Sequence, residues 1–346
     1  MNKIISIICL AALVSTQCVS VKAADRSHIS IIDASTLMIQ GFDMTPHDVN
    51  LTIIALKKKP DSLKDHILLA AYYGYKQSPD ADKYALWLIA HYPAAPIFGG
   101  PPFIPPSDAQ AVLWRKQLVK YPLNTLVLAN AASSLKLNDA SQSIAIYKKL
   151  MKLQPSNHKW PLHIARIIQF QINPNYGSPE DNESAAKHAM KYAQMSFNLA
   201  KSNRTKLNAI EELMMDAYYA QNYTQANDYA LMEHKYLPSS DPTLDPDVIY
   251  HSYMMQGLVA LHNKDIPAAD NFLLKSGQSS GSAPLDSFGP NMMLADQLLQ
   301  NGQKAVVLQF LQECATFWNE GTNTLKQWMA EIKQGQHPDF SMQENY

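Results

Sequence analysis

Eleven histidines, three cysteines and one adjacent glutamate pair are the side chains of this 346-residue sequence best suited to chemistry. A zinc hydrolase helix needs two histidines four apart with a glutamate between them, and the chain contains no such run. His158 and His163 are five apart, which turns them away from each other on a helix. His251 and His262 can share a helical face, but at about 1.5 Å rise per residue they stand roughly 16 Å apart along it, too far for one metal. Glu211-Glu212 are neighbours whose side chains diverge by about 100° on a helix, with no second acid evident opposite them, so they read as a solvated face. Gly281-Ser282-Ala283 belongs to a Gly/Ser-rich loop, not to a strand-to-helix nucleophile elbow. No glycine loop followed by Gly-Lys-Ser/Thr is present, and Gly99-Gly100-Pro101-Pro102 has too few N–H groups to cradle phosphate. The residues therefore lead us to expect no catalytic set, no metal and no cofactor.

The first residues read as a leader. Lys3 precedes an apolar run from Ile4 to Val14, and Val21-Lys22-Ala23 offers the small and branched residues of a signal-peptidase site, so residues 1–23 are expected to be removed. The run is too short to span about 30 Å of hydrocarbon, and no later segment is long enough to form a transmembrane helix. Export to a bacterial periplasm is the expected localisation; secretion, or a lipid anchor on Cys18, is the alternative, and Gln17 stands where a lipobox wants a small residue. Loss of Lys3 and Lys22 takes the formal net charge from -1 to -3, which supplies no field for nucleic acid or anionic lipid. Cys9 and Cys18 leave with the leader, so Cys314 is alone and no intrachain disulfide forms. Its setting, Gln312 through Trp318, is that of a small buried hydrophobe.

The elements that must position any site are helical. Twelve glycines against 21 prolines, with 47% apolar residues, suit helices ended by prolines better than sheets turned by glycines. Self-similarity makes this specific. Ala81 lies twelve residues before Pro93, Ser143 twelve before Pro155 and Ala226 twelve before Pro238. Ala131 lies twelve before Ser143, Gly257 twelve before Ala269 and Ala295 twelve before Val307, the last pair spanning a turn at Asn301-Gly302. Two helices that cross closely need small side chains at the crossing, and a proline one helix later ends the second.

These intervals resemble the tetratricopeptide repeat (TPR) family, over residues 60–93, 124–157, 207–240, 250–276 and 288–318. Large aromatic and glycine positions of the family are often replaced; Leu69 holds the slot that Gly257 fills in a later copy. The stretch from Ser282 to Met292, with Trp318 and Pro338-Asp339-Phe340, is similar to exported bacterial repeat proteins of this type, a likeness that implies no activity. The resemblance implies an all-α fold, a right-handed superhelix of antiparallel helix pairs. Residues 24–59 are then an N-terminal capping segment, 60–318 the repeat domain and 319–346 a capping helix and tail.

Outside the repeats, Thr45-Pro46, Ser107-Asp108, Asn182-Glu183-Ser184 and Asn323-Thr324 each read as a helix start. Residues 24–44 fit either extended chain or helix. Two segments read as irregular: the proline-rich 93–106 and the Gly/Ser-rich 276–290, carrying Phe103 and Phe288 as apolar groups that can form the rim of a concave site. Tyr72, Tyr219 and Tyr253 fall in the first helices of repeats, which line the inner groove in this family, and Asn130, with Gln221 and Asn222, adds amide groups. The expected function is an exported protein- or peptide-binding scaffold without chemistry of its own; the alternative is a secreted hydrolase or carbohydrate-processing protein with an unrecognised active site.

Overall fold

A computed structural model describes residues 31–98, 106–172, 178–237 and 245–343. The leader, Cys18 and Phe103 lie outside them. The described residues form seventeen α-helices and no strand. The chain divides into two compact units at Pro155/Ser156.

The first unit holds α1 (Ile31–Phe42), α2 (Pro46–Lys58), α3 (Leu63–Tyr75), α4 (Asp80–His91), α5 (Asp108–Lys120), α6 (Thr125–Leu135) and α7 (Ala140–Leu153). Capping side chains fix most of the starts. Thr45 and Asp48 form a reciprocal capping box with Pro46 in the first turn, and Ser62, Ser107, Asn124 and Asp139 each accept a backbone N–H of the helix they open. Two apolar clusters result, one around Ile67, Leu69, Tyr84 and Leu88, the other around Ile89, Trp114, Val127 and Ala131.

The second unit holds α8 (Lys159–Gln169), α9 (Pro179–Leu199), α10 (Asn203–Tyr219), α11 (Tyr223–Tyr236), α12 (Asp245–His262) and α13 (Ile266–Gly277). It continues through α14 (Ala283–Phe288), α15 (Met293–Gln300), α16 (Lys304–Cys314) and α17 (Thr322–Lys333). Helices α8 to α13 each pack on the next, as do α15, α16 and α17, and α8, α10, α12 and α15 also touch in that order. One large core joins them, ending in Trp318, Trp328 and Phe340, whose rings stack edge to face or tilted at 4.9–5.8 Å.

All five segments with repeat spacing fold as helix pairs, and their crossing residues are buried: Ala81, Ala131, Ser143, Ala226, Ala269, Ala295 and Val307. Contact there is close. The Ser143 hydroxyl donates to the Ala132 carbonyl of the facing helix at 2.7 Å, and a Cβ added to Gly257 would lie 3.2 Å from Phe272 Cβ of α13 and 2.2 Å from Leu294 Cδ2 of α15. Four of the pair turns share one hydrogen-bond pattern. Ser78 N–H reaches Tyr73 O, Asn222 N–H reaches Ala217 O, Asp265 N–H reaches Ala260 O and Gln303 N–H reaches Leu298 O, with Gln77, Gln221, Lys264 and Gly302 before them at φ of +52°, +57°, +64° and +82°. This is the left-handed helix ending that glycine fits best, and three of the four copies use other residues.

Several boundaries differ from the sequence reading. The long helix starts at Pro179, capped by Ser178, because a serine before proline is a better start than Asn182. The last starts at Thr322, one residue before Asn323. Residues 276–290 are partly helical: α13 runs through Gly277, and the Ser282 hydroxyl with Pro284 in the first turn opens α14. Within 93–106, Pro96–Phe98 form one 3-10 turn. Helix α1 settles residues 31–42 as helical, and α8 was not anticipated at all.

The crossing at Ala226, whose side chain has no solvent exposure, generates a test. Ala226→Leu is expected to overpack the α10–α11 pair at a cost of about 1–3 kcal/mol in urea unfolding, while Asp228→Leu, exposed on the same helix, costs little. Equal stability of A226L and the parent would contradict the crossing.

Candidate functional site

The α8, α10 and α12 row carries charged residues on its contacts. Glu211 and Glu212 do diverge, as adjacent helical residues must, but each meets a partner on a different neighbouring helix. Glu212 accepts from Arg166 Nε of α8 at 2.6 Å, and Glu211 faces His251 Nδ1 of α12 at 3.4 Å. The solvated-face reading is thus corrected: the Glu212 side chain is only 8% exposed, while those of Arg166 and Glu211 keep 45% and 43%.

One turn beyond Glu212, Asp216 is fully buried, and neither carboxyl oxygen has a hydrogen-bond partner among the described residues. Burial, reinforced by the charge of Glu212, pushes its pKa up to about 9, so it is neutral at pH 7. Glu233 of α11 is buried too; its Oε2 lacks a partner, and burial with the charge of Glu211 raises its pKa well above the carboxylate range. Burial also raises Glu212, and Arg166 opposes that rise. On α12, Asp247 is half-buried, accepts the Ser282 hydroxyl and is raised by burial, with Ser282 and His251 pulling it back down. Carboxyl groups from three helices therefore share one electrostatic neighbourhood, linked through Glu211 and Glu212.

A second polar pair has a different character. His234 Nε2 lies 3.0 Å from Ser252 Oγ, the distance of a base and its nucleophile. The Ser252 hydroxyl, however, is buried and donates to Ala230 O at 2.8 Å, so it accepts from the imidazole and cannot give it a proton. The pair ties α12 to α11. Cys314 is fully buried and burial raises its thiol pKa, which leaves no thiolate. Among the described residues no group of three or more His, Cys, Asp or Glu is placed to hold a metal. A cavity of about 10 Å³ in the first unit, between Met38, Ile67, Leu88 and Ile97, is lined by apolar residues and has room for at most one water-sized molecule.

The residues anticipated for binding are divided between the two units. Tyr72 and Asn130 belong to the first unit, and Tyr219, Tyr253 and Phe288 to the second. Asn130 is buried, and its amide donates to Pro93 O and Ala95 O, both at 2.9 Å; it pins the start of the proline-rich segment and is no exposed donor. Tyr72 is half-buried, edge-on to Tyr73 at 5.2 Å. Tyr219 packs against the small cluster of Ile172, Ala186 and Ala220. Tyr253 is half-buried beside His234 at 5.9 Å and Phe272 at 6.2 Å, with the Lys275 ammonium 5.4 Å from its ring centre. Phe288 is 61% exposed at the end of α14.

Asp216 and Glu233 escaped notice in the sequence, although a signal was present. Ala226, Tyr229, Ala230 and Glu233 make an i, i+3, i+4, i+7 stripe, and Asp216 lies between the buried Leu213, Ala217 and Ala220. An acid on an apolar stripe marks a buried carboxyl group. No protein-family model matches the chain, and no curated protein matches it either.

The buried acid sets a pH dependence. Unfolded, Asp216 titrates near 3.9; folded, near 9, so between these values the folded state holds a proton that the unfolded state has lost. The stability that comes from burying the neutral acid is complete below about pH 4 and declines as pH rises towards 9, by up to about 1.4 kcal/mol per unit. Asp216→Asn cannot ionise. Its stability relative to the parent is expected to improve by up to about 4 kcal/mol between pH 5 and pH 8 in urea unfolding. A difference that stays constant over this range would contradict a neutral Asp216.

Proposed function

We propose that the protein is a scaffold of TPR-like repeats, its helix pairs winding in the right-handed sense of that family within each unit, and that it binds a protein or peptide partner. On this reading residues 1–23 are removed on export to the periplasm, and the protein has no chemistry of its own. The observation that carries the reading is the row of α8, α10 and α12, whose facing side chains include Arg166, Glu211 and His251 with solvent access above a buried floor. A row of packed helices bearing adjacent polar groups offers successive contacts to an extended chain, and repeats of this kind recognise partners that way. Tyr219 and Tyr253 stand on two of these first-position helices as amphipathic groups suited to carrying contact energy.

A second reading rests on one observation: a buried acid held neutral, Asp216, shares a helix with the solvent-accessible Glu211, and hydrolases use two carboxyl groups in unlike environments as acid and base. It takes second place because both oxygens of Asp216 are shielded from solvent, where no substrate bond reaches them.

Fluorescence anisotropy against an array of extended 12-residue peptides tests the scaffold. Saturable binding to a peptide class is expected, weakened by more than about 1 kcal/mol in Tyr253→Ala or Tyr219→Ala, with the helical circular dichroism kept. Absence of peptide binding, together with turnover of a glycan or ester panel that Asp216→Asn abolishes, would replace it with the hydrolase reading.

A further inference from the structure

The net charge of the whole chain conceals how its charges are distributed. From Ser107 to Pro155, the stretch that forms α5, α6 and α7, seven basic residues stand against two acids, in a chain whose formal charge is -1. Both acids lie at one end of the three helices: Asp108 begins α5, and Asp139 caps α7 and is held by Arg115 at 3.0 Å. The opposite end, where α5 and α7 finish and α6 starts, has no acid from these helices. Gln154 Nε2 donates to Thr125 Oγ1 at 3.4 Å there, joining the end of α7 to the start of α6. Helix α4, packed on α5, adds none: Gln117 reaches the Ala90 carbonyl at its end, while Asp82 meets Ser107 at its start. Lys116 and Lys120 of α5 and Lys152 of α7 are exposed.

The turn at this end is apolar where turns are ordinarily polar. Val119, Leu123 and Leu126 are 81%, 67% and 54% exposed, and the first two are among the four most exposed large apolar side chains of the described residues. Their exposure is built in. Tyr121 N–H bonds to Gln117 O at 2.8 Å and Asn124 N–H to Tyr121 O at 3.2 Å, while Asn124 Oδ1 accepts from the N–H groups of Leu126 and Val127, so the backbone is tied on both sides of the turn. Lysines near the ends of α5 and α7 suit the dipoles of those helices, but that gives no reason for aliphatic groups beside them. A protein partner fits poorly too, because protein interfaces are depleted in lysine. Aliphatic groups flanked by lysines match a bilayer with anionic headgroups: the apolar side chains enter the acyl boundary, and the lysine stems lie along it with their ammonium groups among the phosphates.

We propose that the α5–α6 turn docks on the surface of a membrane containing anionic lipid, with Val119, Leu123 and Leu126 entering the boundary and Lys116, Lys120 and Lys152 held on the phosphate groups. This goes beyond the scaffold reading and does not depend on it. Attachment of this kind is peripheral and reversible, far weaker than a spanning helix, and salt screens it.

Residues 24–346 include every described residue, and their sedimentation with vesicles of phosphatidylcholine, alone or mixed with phosphatidylglycerol, tests the proposal in low salt and in about 0.5 M NaCl. Insertion is read from a nitrobenzoxadiazole dye on Leu123→Cys and, as reference, on Leu137→Cys beyond the far end of α6. Labelling is selective because Cys314, the one other cysteine of 24–346, is fully buried. The expected result is binding to the anionic vesicles only, reduced by salt, with the dye brightening on Leu123→Cys and not on Leu137→Cys. Val119→Ser with Leu123→Ser, and Lys116→Gln with Lys120→Gln and Lys152→Gln, are each expected to weaken binding about tenfold or more. All these side chains are exposed, so melting temperatures are expected to match the parent's. No binding to anionic vesicles, or binding that both sets of substitutions leave intact, would overturn the proposal. Binding that needs the lysines while the dye on Leu123→Cys stays dim would be adsorption by charge alone and would overturn it as well. Binding of polyglutamate in place of vesicles, lost with the lysine substitutions, would overturn the lipid and make this surface a dock for an acidic protein.

Discussion

Two helices approach only as closely as the side chains between them allow, and in this protein that spacing is set by small residues at the crossings. Ala131 against Ser143 brings backbones near enough that a hydroxyl spans to a facing carbonyl, and at Gly257 an added methyl would lie 3.2 Å from Phe272 Cβ of the paired helix and collide with Leu294 of α15. The repeated turn then reverses the chain in a fixed way, through residues with positive φ that close the preceding helix. Close pairs joined by uniform turns put alternate helices of the second unit next to each other. That adjacency, α8 to α10 to α12, is what brings Arg166, Glu212 and Glu211 into reach of their partners from sequence positions 40 to 46 residues away.

The same tight packing explains the state of the acids. A carboxyl group on a helix face that others cover loses its water, and unless a cation compensates it the neutral form wins. Glu212 has Arg166 and keeps a bond to it; Asp216, one turn on, has only the adverse charge of Glu212 and no partner. Replacing these groups by leucine would fill the core more cheaply, by the ordinary preference of interiors for apolar residues. They neighbour Glu212 and Glu211, the two residues that reach charged or titratable partners on flanking helices, and it is this coincidence that gives the row a functional reading.

Much of the fold was legible in the sequence because it rests on local rules. Small residues twelve apart located the helix pairs, and Thr45 or Ser107 before a proline or acid located helix starts. What was hidden has physical reasons. Helix α8 opens at His158 without a side-chain cap and carries Pro161 in its first turn, so it lacks a start signal. The shared turn was masked because Gln221 and Lys264 occupy a conformation usually marked by glycine. Asn130 looked like an exposed amide because nothing local reveals that the carbonyls of Pro93 and Ala95 fold back onto it. The candidate site was misjudged for the reason that burial is a property of neighbours: Glu211-Glu212 in isolation is a polar pair, and only the helices at 159–169 and 245–262 make one of them an inward-facing ion pair.

The central claim is that packing of alternate helices holds a carboxylic acid neutral beneath a charged face. Carbon-13 NMR of the Asp216 side-chain carboxyl, followed from pH 4 to pH 10 and assigned by comparison with Asp216→Asn, measures it directly. A single titration with its midpoint about 9, leaving the acid protonated at pH 7, is the result the account predicts. A midpoint near the ordinary value of about 3.9 would mean that Asp216 is solvated, and the buried neutral acid beneath the charged face would not exist.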